Sequence, residues 1–177
     1  MVKKAETSGT ICPVARSTAL IGDRWTILIM RELVAGCARF DDIQAQTDAT
    51  PQLLTARLKQ MEADGLITRR AYSERPLRYE YQLTDMGREF YPVIFALRAW
   101  GEKWCKTAEK PLAVHVFHRD CGSEIGLDGV CPSCKVLVAR PDMESRPSPE
   151  WAEERRRRQE AHKARIAQRT QKAAPYR

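Results

Sequence analysis

The stretch TPQLLTARLKQMEADG at residues 50–65 carries a helix start, a buried stripe and a helix stop in close succession. Thr50 suits an N-cap, and Pro51 suits the first helical position, where its missing N–H costs nothing. Leu54, Leu58 and Met61 fall at i, i+4 and i+7, which commits one side to a core, and Asp64-Gly65 ends the helix. At about 100° per residue, Leu58 and Met61 stay within roughly 40° of the Leu54 direction. Gln52, Ala56, Lys59 and Gln60 then lie on the far side with Thr55 on the flank. Arg57 lies nearer the stripe, where it would brace the fold.

The segments around this helix are also patterned. A short helix is expected from Pro13 to Leu20, closed by Gly22. Asp23 can cap a second helix from Arg24 to Ala35, with Trp25, Leu28, Ile29 and Leu33 at three- and four-residue spacings. FDDIQAQ, Phe40 to Gln46, reads as a short helix. Leu66 to Ala71 reads as a strand, Tyr72 to Leu77 (YSERPL) as a turn, and Arg78 to Leu83 as a second strand with strict alternation. Thr84 then caps a long helix to about Lys106, in which Pro92 predicts either a bend or a separate first turn. Three helices followed by a two-stranded hairpin and a long helix make the winged helix-turn-helix plan. The fold class is therefore mainly α with a small β-hairpin, an α+β arrangement.

Composition excludes other classes. The 177 residues are 43% hydrophobic and 30% charged, enough to bury a core, with only 9 Gly and 10 Pro. Charges interrupt every long apolar stretch, against the roughly 20 consecutive apolar positions a membrane span needs. The opening MVKKAETSGT has no apolar run after its lysines, so no secretory signal is read. The six cysteines then fit a reducing cytoplasm better than a disulfide framework.

A helix that reads the major groove buries one face and offers a small, polar or basic face opposite. Gln makes paired hydrogen bonds to adenine, Ala and Thr touch the thymine methyl, and Lys reaches guanine or phosphate. Gln52, Thr55, Ala56 and Lys59, with Thr50 at the leading end, form the candidate reading face; a solvated helix face would look similar. Between residues 69 and 78 the hairpin adds four arginines, Arg69, Arg70, Arg75 and Arg78, against the single acid Glu74. Cations on a projecting hairpin can anchor on backbone phosphate or in the minor groove.

IGDRWTILIMRELVAGCARFDDI at 21–43, LLTARLKQMEADGLITR at 53–69 and YEYQLTDMG at 79–87 closely resemble the HxlR-type, MarR-like winged-helix transcriptional regulators. Cys12-Pro13 is similar to that family's N-terminal Cys-Pro. The resemblance implies a homodimer whose first and last helices pack across a two-fold axis, setting two recognition helices on a pseudo-palindromic operator. It implies a transcriptional regulator, mostly a repressor and in some members an activator; no enzyme is expected, since the three histidines have no serine or carboxylate partner at recognisable spacing. Trp100 and Trp104 on the last helix agree, since they give it more apolar surface than one small domain can cover. The wing YSERPL is a variable part, so its contacts do not carry over.

Cys12 sits where certain HxlR-type regulators sense oxidants or electrophiles through a thiol. A helix that starts at Pro13 would favour the thiolate, and Arg16 one turn on would add to this. An inert cysteine at a dimer contact is the alternative. Cys37 and Cys105 have no partner at suggestive spacing. Further on, His118-x-x-Cys121 and Cys131-Pro-Ser-Cys134 form two pairs whose donor chemistry suits tetrahedral zinc in a closed, structural site. Each pair makes a tight knuckle, the intervening glycines (Gly122, Gly126 and Gly129) allow a hairpin between them, and His115 competes for the histidine place. A dithiol redox protein using Cys131 and Cys134 is the rival function, although no thioredoxin-like pattern surrounds them. A winged-helix protein-interaction adaptor is another.

These readings divide the chain into a polar leader at 1–11, a winged-helix DNA-binding and dimerisation domain at 12–108, a small zinc-ribbon-like Cys/His extension at 109–139, and a linker with a basic helical or disordered tail at 140–177. The tail holds 11 Lys and Arg against 6 Asp and Glu. Its run RRRR at 155–158 invites a DNA-arm reading, but few apolar residues are available to anchor it and a solvated end is expected.

Overall fold

The computed structural model describes residues 9–107 and 109–173, so most of the expected leader lies outside the described residues. The chain forms two compact units. One ends at Phe90 and resumes at Arg158; the other is Tyr91–Arg157.

The first unit begins with α1 (Pro13–Ile21), α2 (Arg24–Val34), α3 (Phe40–Thr47) and α4 (Pro51–Ala63). Asp23 caps α2 by accepting the Trp25 and Thr26 N–H groups, and the Thr50 hydroxyl caps α4 by accepting from Leu53. Such caps satisfy donors that a helix cannot satisfy itself, at about 1 kcal/mol each. Asp48 closes α3 in the left-handed conformation and starts the turn into α4. Ile29, Met30, Leu33, Ile43, Leu54, Leu58, Met61, Leu66 and Ile67 form the core of this unit. On α2 the buried positions include Ile29, Met30 and Leu33, whereas the expected Trp25 and Leu28 are only half-buried.

The wing is longer than expected. β1 (Ile67–Glu74) and β2 (Leu77–Leu83) pair antiparallel and leave only Arg75-Pro76, joined by a cis peptide, at the tip. Most of YSERPL is therefore strand. A register shift between Ala71 and Ser73 absorbs the irregular sequence that suggested a turn. Arg39 adds a one-residue bridge to Glu80, and the Tyr81 N–H donates to the Ala38 carbonyl at 2.7 Å.

Thr84 joins the hairpin to the next helix. Its hydroxyl donates to the Gly65 carbonyl at 2.6 Å and accepts from the Gly87 N–H at 3.1 Å, starting α5 (Asp85–Arg88). A Cβ at Gly87 would collide with the Leu66 carbonyl, so glycine lets this turn approach the end of β1's lead-in. The long helix breaks before Pro92: α6 is Tyr91–Trp104, with the proline in its first turn, where no N–H is needed.

In the second unit α6 lies against an antiparallel pair, β3 (Val114–His118) and β4 (Met143–Pro147), so the long helix groups with the Cys/His segment. The Tyr91 hydroxyl contacts Met143 Sδ at 3.3 Å, Arg98 donates to the Val114 carbonyl, and Glu102 accepts the Ala113 N–H at 2.9 Å. The sequence MESRP, expected within a linker, is strand β4 because β3 supplies its backbone partners from Val114↔Pro147 to His118↔Met143. Much of the tail is helical. α7 (Pro149–Ala173) runs for 25 residues, and from Arg158 onward it belongs to the first unit.

Candidate DNA interface and a four-residue Cys/His cluster

On α4 the buried residues are Leu54, Leu58 and Met61, while Thr50, Gln52, Thr55, Ala56, Lys59 and Gln60 are exposed. The structure thus brings Gln52, Thr55, Ala56 and Lys59 to the solvent side of one helix, as the helical period requires, with Thr50 exposed at its N-cap. Gln60 is occupied locally, donating to Asp64 at 2.9 Å. Arg57 braces the fold: its Nε lies 3.0 Å from Asp23 Oδ2. Burial raises the Asp23 carboxyl, but hydrogen bonds from the Thr26 hydroxyl and from the Trp25 and Thr26 N–H groups outweigh it, and with Arg57 they hold the group below the usual carboxylate value.

The four wing arginines divide. Arg69 lies 3.4 Å from Glu62 and 4.7 Å above the Tyr79 ring, which commits its guanidinium to the junction of β1 with α4. Arg70 is exposed on the other face of β1 and paired in register with Glu80. Arg75 and Arg78 are exposed at and just beyond the tip, and among the described residues neither has an acidic partner. Sequence reasoning missed Arg39, whose guanidinium stacks 4.8 Å above Tyr72 and steadies the wing. It also missed the buried Glu32, held by Arg31 at 2.7 Å. An acid on the apolar side of α2 was the available signal.

Cys12 occupies the N-cap position of α1, and its side chain is exposed and makes no capping bond. None of the α1 residues is buried.

In the second unit His118, Cys121, Cys131 and Cys134 converge, with their ligand atoms all within 4.8 Å of one another. Cys121 Sγ is 3.4 Å from His118 Nδ1 and 3.5 Å from Cys131 Sγ. A tetrahedral ion with metal–sulfur bonds of about 2.3 Å needs sulfur–sulfur edges of about 3.8 Å, so the cage has the right size. Each ligand pair sits in its own tight turn. One is closed by Gly122 N–H to the His118 carbonyl at 2.8 Å, the other by Lys135 N–H to the Cys131 carbonyl at 2.9 Å. In both, the residue after the second ligand is left-handed, Gly122 at φ 70° and Lys135 at φ 60°. The isolated bridges Phe117↔Glu124 and Val130↔Leu137 flank the turns. Each ligand pair therefore forms its own knuckle, as its two-residue spacing suggests, and the ligands of both converge. His115 is excluded from the cage, its Nδ1 lying 2.6 Å from Glu124.

The three thiols of the cluster are shifted in different directions. Hydrogen bonds from Ser123 pull the Cys121 thiol down to about 6, and the Cys134 N–H lowers Cys131. Cys134 is pushed up to about 11 by hydrogen bonding to Cys121 and Cys131. His118 is raised, chiefly by its contact with Cys131. This group could hold a metal ion: three sulfur donors and one imidazole enclose a site with no open position.

A helix-turn-helix whose second helix bares a polar face, followed by an arginine-bearing wing, defines a winged-helix DNA-binding protein. The profile of the HxlR-like helix-turn-helix family matches residues 20–109. An uncharacterized HTH-type transcriptional regulator of Mycobacterium tuberculosis, Rv3095, is 32% identical over 136 residues, 77% of this chain and 85% of the relative. Another from Synechocystis sp., sll1512, is 40% identical over 98 residues, 55% of this chain and 73% of the relative. Among solved structures, the candidate transcription factor PA1607 is similar with a TM-score of 0.62 and 30% identity, covering 82% of this chain and 99% of that one. The oxidized redox regulator HypR is similar with a TM-score of 0.51 and 31% identity, covering 54% of this chain and 100% of that one. The chain belongs to the HxlR-like helix-turn-helix family of transcriptional regulators. Among the described residues no helix is long and apolar enough to cross a membrane.

Proposed function

We propose that the protein is a cytoplasmic homodimeric repressor that binds a pseudo-palindromic operator in double-stranded DNA and has no enzymatic activity. The observation that carries this is the exposed row Gln52, Thr55, Ala56 and Lys59 on a helix locked from behind by Leu54, Leu58 and Met61. These four residues read base edges, and Thr50 meets phosphate at the leading end. Arg70, Arg75 and Arg78 anchor the backbone, while Arg69 holds the hairpin against α4.

The dimer rests on unpartnered apolar surface. Val93, Leu97, Trp100 and Trp104 are exposed along α6, and Ile11 and Val14 are exposed around the start of α1. The four α6 residues, at i, i+4, i+7 and i+11, fall on one helix face, and an exposed apolar stripe of this kind marks an association site. Selection from random duplex DNA tests the reading: an inverted repeat with half-sites about 10 bp apart, or a multiple of that, supports it, because dimers place recognition helices one groove turn apart. Recovery of no enriched sequence would count against it.

The His118, Cys121, Cys131 and Cys134 cluster is proposed as a structural zinc site that holds the two knuckles together. This favours a metal over the dithiol alternative, because His118 and Cys121 close around Cys131 and Cys134. Cys12 is proposed as a thiol sensor. Its exposure at a helix start and the likeness to a redox regulator support that role.

A further inference from the structure

We propose that the end of α7, residues 158–173, is an additional DNA-backbone site whose cations bind phosphodiesters beside the leading end of α4. This rests on the DNA-binding reading of α4 and the wing. A polar helix with few apolar side chains is not held on a domain by burial, and α7 is held by specific contacts to α3 instead. Arg158 donates to the Gln46 carbonyl at 3.3 Å, Gln159 donates to Asp42 at 2.6 Å, and Arg165 reaches Asp48 at 3.4 Å. His162, on the same face, is buried. Asp48 stands two residues before Thr50, the N-cap of α4. The contacts therefore bring Arg165 to the turn that leads into the recognition helix. Arg169 follows one turn later on the same side, and Lys163 and Arg169 are both exposed.

Charge makes this placement consequential. Residues 40–50, the first helix of the motif and its turn, hold three acids and no base, an edge that repels phosphate. Residues 158–171 carry four bases against one acid, and two of those bases, Arg158 and Arg165, reach that edge. The Arg165–Asp48 pair is largely solvent-exposed, and such pairs contribute only about 0–1 kcal/mol to stability. It is a weak clamp, and its guanidinium can turn to phosphate at little cost.

The test is binding of the full chain to a random-sequence duplex across a salt series, with wild type compared to Lys163→Gln/Arg169→Gln. Each phosphate contact contributes about 0.9 to the slope of log K against log salt, so losing one or two lowers the slope by ~0.9–1.8, a roughly 3.5- to 12-fold smaller loss of affinity between about 50 and 200 mM. Preference for a selected operator over the random duplex should be unchanged. Lys163→Arg/Arg169→Lys, which keeps both charges, should restore the slope and shows that helix integrity is not the cause. An unaltered slope in the Gln variant overturns this inference alone. A wild-type protein that binds no duplex overturns it together with the DNA-binding reading.

Discussion

Arg57 Nε lies 3.0 Å from Asp23 Oδ2, so the buried edge of the recognition helix is tied to the N-cap of α2. The same carboxylate accepts the Trp25 and Thr26 N–H groups and the Thr26 hydroxyl. One side chain therefore fixes where α2 begins and how α4 is seated.

Asp23→Ala should destabilise the first unit by about 1–2 kcal/mol, the range for a lost N-cap, as measured by denaturant unfolding. Asp23→Asn keeps the cap oxygen, loses the Arg57 charge pair, and should cost less. The Asp23 carboxyl is held below its ordinary value of 3.8 in the folded state. Its contribution is therefore complete above the unfolded value and fades as pH falls through the lower folded one. The difference in stability between wild type and Asp23→Ala should shrink below about pH 4. A constant difference down to the acid transition would contradict the assignment.

Lys59→Glu should weaken operator binding sharply and flatten the preference for operator over random duplex, since a base-reading contact contributes about 1–3 kcal/mol of discrimination. Arg75→Gln should weaken both duplexes alike and leave their ratio intact. The opposite pattern in a retardation assay would exchange the roles assigned to helix and wing.

Protein prepared without added metal should carry one zinc per chain. Cys131→Ser/Cys134→Ser should lack it and lose thermal stability in the second unit. In wild type, stripping the metal should unmask three further thiols, those of Cys121, Cys131 and Cys134, to a thiol reagent. Full thiol reactivity before chelation would argue against a closed metal cage.

Oxidant should reduce operator affinity in wild type and leave Cys12→Ser unaffected. A variant that responds like wild type would assign sensing to another group. Cys12 can be changed safely, because it is exposed and makes no side-chain capping bond.

The elements were legible in the sequence where signals were local. Caps at Asp23, Thr50 and Thr84, the Leu54, Leu58, Met61 stripe and the break at Pro92 need only neighbours within a turn or two. The paired ligand spacing identified the four cage residues, because each knuckle is built within a few positions. Long-range partners were not legible. MESRP resembles a linker until β3 pairs with it, and the Tyr72–Leu77 segment resembles a turn until register and bulge are known. α7 lacks an apolar stripe and docks through polar groups more than a hundred residues away, such as Gln159 on Asp42. The burial of Glu32 depends likewise on the residues packed over α2.

The most direct test of the whole account is the mass of the complex formed with a selected operator, measured by sedimentation for wild type and for Trp100→Glu/Trp104→Glu. Wild type should bind as two chains per duplex. The variant should be monomeric at micromolar concentration and bind much more weakly, since buried tryptophan anchors carry about 2 kcal/mol or more each, roughly 30-fold per residue. A wild-type protein that stays a single subunit and leaves the duplex unbound at low salt would contradict it.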